Sequence, residues 1–498
     1  MTDRVRSAPR YFYLDTHGCA KNQVDAELII CQLENSGYTY TENPEQAELI
    51  IINSCGFIES AKKESLDALF AARKARPDAK IVLAGCLSER YADIFAEALP
   101  EADAVFGNGD LSALDELIEK LETGGRPVIK RAQQGVCAGE RHKLLGFPAS
   151  AYIKITEGCN NRCSFCAIPL IRGSLRSRSA DDITDEIRAL QKRGVFEFNL
   201  IGQDLAAYGC DGADEGNSLH PLYFQTPSPL SLLLRKISAL PGRFWLRLLY
   251  IHPDHFPADI IPIIQKDPRI IPYFDLPFQS GDDRIIRAMN RNGSADRYIQ
   301  LIRSIKEALN DAVLRTTFLC GFPGETDEEA ERTLGFLKEI EPLWSGCFAY
   351  SAEEDTPAAL LKRKVPAKTI RARIEKLQSA QEKITERLLC TYIGRTCDVL
   401  IEEYIPANGA RTQNETQKKI QPDDKASPFA ADEDAPAFAL GRCRFQAPEV
   451  DGLCVVRIDD DPQSGAHKKK PEIFPGALVP VRITGVRGVD VIGELAYE

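Results

Sequence analysis

The chain of 498 residues contains no apolar run near the roughly 18 residues needed to span a bilayer. Its opening stretch, MTDRVRSAPRYFYLD, also lacks the apolar core of a secretory signal. With neither a membrane segment nor an export leader, the expectation is a cytoplasmic protein. A basic excess is missing too: 62 Lys and Arg stand against 73 Asp and Glu, a net charge of −11. That balance argues against a protein that coats nucleic acid and suits a basic protein partner. Histidine is scarce, with six residues, which leaves little to complete a mixed metal site. Cysteine, by contrast, is plentiful: 15 residues, an odd number, scattered along a long chain. In a reducing compartment that usage favours metal or cluster ligation over disulfides.

The length exceeds one ordinary core, so two to four domains are expected. Three blocks emerge, at residues 10–140, 141–388 and 389–498. In the first, the apolar runs YFYLD, ELIIIN and KIVLAG alternate with segments of helical spacing, which predicts a doubly wound α/β domain. Each run ends near a cysteine beside a glycine: Cys19 after Gly18, Cys55 before Gly56, Cys86 after Gly85. Ligands of open parallel sheets collect beyond the carboxyl ends of the strands. The topology therefore brings Cys19, Cys55 and Cys86 to one sheet edge, and we read them as ligands rather than core.

The second block repeats the alternation with longer units: YIKIT, FEFNLIG, WLRLLYI, IPYFDLP, VLRTTFL and GCFAYS. Six strands fall short of the eight-unit barrel and fit a partial, open barrel of six βα units. The last block offers CDVLIEE, LCVVRIDD, ALVPVRITGV and DVIGELA, the pattern of a small antiparallel β-barrel. A polar insertion at 407–437 interrupts it and reads as a loop. The overall expectation is an α/β protein with a small β-barrel at its end.

Just after the first strand of the central block comes EGCNNRCSFCAIPLIRG, with Cys159, Cys163 and Cys166 at spacing C-x3-C-x2-C. A structural zinc site takes four ligands, and the nearest upstream histidine, His142, lies 17 residues before Cys159. A 4Fe-4S cluster binds one thiolate per iron, so three cysteines leave one iron open for a substrate or cofactor. The spacing, the aromatic Phe165 before the last cysteine and the position after a first barrel strand are similar to the radical S-adenosylmethionine (SAM) superfamily.

The resemblance continues along nearly the whole chain. PLIRGSLRSR (Pro169 to Arg178) and GFPGET (Gly321 to Thr326) match further family motifs. Together with the N-terminal cysteines and a terminal barrel of the TRAM type, they make the chain resemble the radical SAM methylthiotransferases. The resemblance implies two 4Fe-4S clusters, one held by Cys159, Cys163 and Cys166 and binding SAM, the other held by Cys19, Cys55 and Cys86. It implies a 5'-deoxyadenosyl radical that takes hydrogen from an unactivated carbon, sulfur delivered at the second cluster, and a second SAM as methyl donor. No acid–base residue is assigned.

The family divides by substrate, an adenosine of transfer RNA or an aspartate of ribosomal protein S12. The runs HGCAKNQVDAE, NSCGFIESA, IGQDLAAYG and GRCRFQAPEVDG are similar to the S12 branch, whereas Gln279-Ser280-Gly281 has the form of the transfer RNA branch. Residues 391–498 hold 13 Lys and Arg against 18 Asp and Glu, an acidic balance that suits a basic ribosomal protein better than phosphate. The resemblance thus implies S12, free or in the small subunit, as partner, along with unidentified sulfur and electron donors, no membrane and a monomer. The other nine cysteines match no ligand position, and the HKKK run at His467 to Lys470 reads as a solvated loop.

Overall fold

The computed structural model describes residues 9–133, 135–214, 216, 219–406, 437–458 and 472–496. The insertion read at 407–437, apart from Ala437, and the HKKK run lie outside the described residues. Among the described residues no helix is long and apolar enough to cross a membrane.

The N-terminal unit runs β1 (Arg10–Thr16), α1 (Ala20–Asn35), β2 (Tyr38–Tyr40), β3 (Leu49–Ser54), α2 (Glu59–Ala75), β4 (Lys80–Gly85), α3 (Cys86–Ala98), β5 (Ala104–Phe106), α4 (Leu114–Glu122) and β6 (Val128–Ile129). Its sheet has the order β2-β1-β3-β4-β5-β6, with every pair parallel. Strand β3 is buried along its length, and its side chains alternate between two cores. Ile51 joins Ile29, Ile30 and Leu117 on one face, while Ile50 and Ile52 join Leu69 and Leu83 on the other. That two-sided burial is what a doubly wound sheet requires. The three predicted strands are β1, β3 and β4. The short β2, β5 and β6 were not foreseen, because two or three residues carry no readable period.

The central unit continues with β7 (Ser150–Lys154), β8 (Thr156–Glu157), α5 (Ile168–Arg172), β9 (Arg176–Ser177), α6 (Ala180–Lys192), β10 (Glu197–Ile201), α7 (Pro229–Ser238), β11 (Trp245–Leu248), α8 (Ile261–Lys266), β12 (Ile270–Asp275), α9 (Asp283–Ala288), α10 (Ala295–Ala308), β13 (Val313–Cys320), α11 (Asp327–Ile340) and β14 (Trp344–Ala349). Strands β7, β10, β11, β12, β13 and β14 lie side by side in chain order, all parallel. This is the open six-unit barrel that the sequence predicts. Apolar residues such as Ile153, Phe198, Leu246 and Phe274 pack outward against the helices. The alternate positions carry buried polar groups: Lys154, Glu197, Asn199, Arg247 and Asp275. The barrel interior is therefore a polar chamber under an apolar shell.

A long helix, α12 (Ala367–Cys390), leads to β15 (Thr396–Ile405), β16 (Ala437–Cys443), β17 (Cys454–Ile458), β18 (Leu478–Arg487) and β19 (Asp490–Leu495). These five strands close into a barrel in the order β15-β16-β17-β19-β18. It is not wholly antiparallel, since β17 and β19 pair in parallel. Strand β16 was hidden from the sequence reading, which took GRCRFQAPEVDG only as a motif.

The structure gives that motif a mechanical role: the loop after β16 floors the central barrel. Arg247 donates to the carbonyls of Arg444 (2.9 Å) and Gln446 (3.0 Å), Trp344 Nε1 to the carbonyl of Phe445 (2.6 Å), and Tyr273 to Asp451 (2.6 Å). Glu197 sits between two guanidiniums, 2.6 Å from Arg442 and 3.2 Å from Arg247. Burial works against its charge, but Arg442 and Arg247 outweigh it and pull its pKa down to about 2. The unfolded carboxyl titrates near ~4.3, so the ionised form stabilises the fold above that pH and loses its contribution as pH falls toward 2. Denaturant midpoints measured across this range are expected to drop steeply on acidification. A flat profile between pH 5 and 3 would show the network to be energetically idle.

Candidate functional site

Strands β1, β3 and β4 are neighbours, and each delivers a cysteine at its carboxyl end. Cys19 caps α1 and keeps contact with solvent, Cys55 follows β3, and Cys86 opens α3. Glycine lets these loops close on one another. Gly18 has φ +103°, and a Cβ there would lie 3.0 Å from Cys55 Cβ, while one on Gly56 would meet the Cys86 carbonyl at 2.7 Å. A side chain at either position would push the cysteines apart. Burial and the neighbouring Cys86 push the Cys55 thiol up to about 12. Burial likewise opposes ionisation of Cys19, but Lys21, Arg172 and the first backbone N–H groups of α1 outweigh it and lower its pKa.

The second set lies on the loop between β8 and α5. Asn161 donates to Cys159 Sγ (3.4 Å) and to Asp204 (2.8 Å), and Asp204 in turn bonds His255 Nε2 (2.7 Å). Asp204 belongs to the QDLAAYG run, so that motif braces the cysteine loop from β10. Arg291 hydrogen-bonds Cys163, and the Cys166 N–H closes a turn on the Cys163 carbonyl (3.0 Å). Burial pushes all three thiols up, Cys166 to about 12.

Arg172, in the PLIRG run, connects the sets. It is 3 % exposed, and its guanidinium donates to Cys86 Sγ (3.2 Å) and Asn22 (2.8 Å), lies 2.9 Å from Asp25, and pairs with Glu157. Lys154 pairs with the same two carboxylates from within the barrel. Burial disfavours charge on Glu157, yet Lys154 and Arg172 hold its pKa well below the usual carboxylate range. Sequence reasoning missed this network. Its only signal was the family motif around Arg172, since the α1 partners Asn22 and Asp25 lie more than 100 residues away in the chain.

Among the described residues no three His, Cys, Asp or Glu side chains converge on one point to hold a single ion. A 4Fe-4S cluster does not ask for that, because each thiolate binds a different iron. The all-thiolate donor sets fit such clusters. Near the barrel mouth Thr156 Oγ1, Asn161 Oδ1, Gln203 Oε1 and His252 Nε2 are buried without a partner, so polar groups remain for a polar cofactor to satisfy. Gln279 and Gly321 shape the ends of β12 and β13 with φ of +71° and +80°, and Ser280 bonds Thr333 (3.2 Å) within the protein. Of the unassigned cysteines, Cys31, Cys210, Cys320, Cys443 and Cys454 are buried.

Family models agree with the three units. Residues 11–107 match uncharacterized protein family UPF0004, 153–337 the radical SAM superfamily, and 427–496 the TRAM domain. The ribosomal protein uS12 methylthiotransferase RimO of Treponema denticola is 51 % identical over 96 % of this chain and 99 % of its own length. The protein of the same name from Symbiobacterium thermophilum is 34 % identical over 96 % and 89 %. Among solved structures, the radical SAM methyltransferase TsrM of Kitasatospora setae aligns over 68 % of this chain and 73 % of its own at a TM-score of 0.49 and 13 % identity. With half its residues shared over 96 % of its length, the chain belongs to the RimO family of radical SAM methylthiotransferases, enzymes of iron–sulfur and SAM chemistry.

Proposed function

We propose that the chain methylthiolates the β-carbon of an aspartate in ribosomal protein S12, using two 4Fe-4S clusters and SAM as both radical source and methyl donor. The observation that carries this reading is the pairing of two three-cysteine sets at facing strand ends, linked through Arg172. Cys159, Cys163 and Cys166 would hold one cluster, and Cys19, Cys55 and Cys86 the other. When bound, these groups supply the radical at the first set and sulfur at the second.

The chain's own residues do the rest. Asn161 and Asp204 keep Cys159 oriented, Arg291 steadies Cys163, and Asn108 (3.3 Å) with Arg172 steadies Cys86. Positive charge beside Cys19 outweighs burial and favours thiolate, the form that ligates iron, whereas at Cys86 burial outweighs Arg172 and raises the thiol's pKa. The floor built by residues 444–451 closes the bottom of the central barrel through Arg247, Trp344 and Tyr273. Within that frame the Gln279-Ser280-Gly281 run, the feature shared with transfer RNA enzymes, is occupied in turn geometry and in a bond to Thr333.

The test is the mass of S12 from cells with and without the gene. Its expected loss on deletion corresponds to one S–CH3 returned to H. A change confined to transfer RNA nucleosides would overturn the S12 reading and leave the chemistry standing.

A further inference from the structure

Buried cations where the three units meet are otherwise paired: Lys154 and Arg172 with Asp25 and Glu157, Arg141 with Glu27 and Glu186, Arg247 and Arg442 with Glu197. Lys21 is different. It is 8 % exposed, and among the described residues its ammonium makes neither an ion pair nor a hydrogen bond; its one close partner is the ring of Tyr250, 3.4 Å from the centroid. Asp275 and Glu157 act on it electrostatically, but neither reaches it as an ion pair, so the ammonium keeps a place for a further anion. It is the arrangement expected where an anion arrives with the substrate.

The platform beneath it is built with care. Tyr250 stands just beyond the carboxyl end of β11 at φ +68°, a region that side-chain-bearing residues avoid. Its N–H donates to Asp275 (3.1 Å) and its carbonyl accepts from Leu205 (2.9 Å). Arg315 of β13 faces the same place. Its Nη1 lies 3.4 Å from Asp275 and its Nε 3.5 Å from Asp451, both long, and Nε makes no hydrogen bond. Lys21 follows Cys19 by two residues, so the ammonium stands at the barrel mouth beside the cysteine set assigned to sulfur.

We propose that Lys21, seated on Tyr250 and backed by Arg315, binds the side-chain carboxylate of the substrate aspartate. This rests on the S12 reading above. The β-carbon is bonded directly to that carboxyl carbon, so fixing the carboxylate fixes the carbon to be modified between the two cysteine sets. Lys21 is then a specificity residue: it favours aspartate over its neutral amide counterpart.

The test uses the reconstituted holoenzyme, an S12 peptide with the target aspartate, and the same peptide with asparagine there. Peptide affinity by fluorescence anisotropy, KM and kcat are measured for the unaltered enzyme, Lys21→Met and Lys21→Arg, with iron content as the check on integrity. We expect Lys21→Met to keep its iron, to raise Kd and KM for the aspartate peptide by roughly 10- to 100-fold, the effect of one charge-assisted contact, and to lose the preference over asparagine. Lys21→Arg should recover most of the affinity. Unchanged KM and preference in Lys21→Met would overturn the proposal, as would loss of about half the iron, which would assign the ammonium to the Cys19 site instead. Failure of the unaltered enzyme to modify any S12 peptide would instead refute the S12 reading, and this proposal with it.

Discussion

A chain with Cys19, Cys55 and Cys86 all replaced by alanine is expected to lose about half of roughly eight irons and all methylthio transfer, while reductive cleavage of SAM stays measurable as 5'-deoxyadenosine. The two cysteine sets lie on different units, one on loops of the N-terminal sheet and one on the loop between β8 and α5. The Cys159, Cys163 and Cys166 loop is braced from within the barrel, by Asn161, Asp204 and Arg291, and among the described residues none of those braces touches the N-terminal cysteines. Radical generation should therefore survive where sulfur insertion does not. Iron analysis and product quantification together decide the matter. Full iron with full transfer would refute the assignment of the second set, and loss of cleavage would show that the two sites cannot be assembled separately.

Glu197→Gln is the second large effect. The variant keeps the shape of the side chain but leaves Arg247, fully buried, without a carboxylate partner among the described residues, and Arg442 with Glu402 alone. Removing one member of a buried ionic group costs about 3–5 kcal/mol, a large fraction of the stability of an ordinary fold. Because Arg442 belongs to the terminal barrel and Glu197 to β10, the loss should appear as undocking of the terminal barrel as well as a lower melting temperature. Replacing Glu197, Arg247 and Arg442 together by apolar residues should cost less than Glu197→Gln alone. Limited proteolysis and thermal melts of the two variants and the unaltered chain check this. A cost below about 1 kcal/mol for Glu197→Gln, typical of surface pairs, would mean that the terminal barrel is held chiefly by its apolar contacts.

The parts of this architecture that repeat were legible from the sequence. All six central strands follow from runs such as VLRTTFL and WLRLLYI, because a strand buried on both faces is apolar at most positions. Cys19, Cys55 and Cys86 could be brought to one edge from topology alone, since parallel βα units put every strand's carboxyl end on one side. What stayed hidden depends on contacts between distant segments. Lys154 reads as one polar residue in an apolar strand until Asp25 of α1 is placed against it, and Arg172 reads as a helix-end cation until Cys86 arrives. Strand β16 was obscured by the insertion before it. The APEVDG segment was recognised by resemblance, yet nothing in its composition announces that it closes the bottom of another unit's barrel.

The short path from Cys166 to Arg172 has a geometric consequence. Six residues separate the last cysteine of one set from the guanidinium that grips Cys86 of the other, and at helical rise that is about 9 Å of chain. On the proposed assignment, the spacing between the two cysteine sets is thus gauged by a stretch of covalent backbone rather than by a hinge between the two units. Such a ruler also couples the two sets in evolution: a residue inserted between Cys166 and Arg172 would shift Arg172, and the Cys86 it grips, relative to the central cysteine loop in a single step.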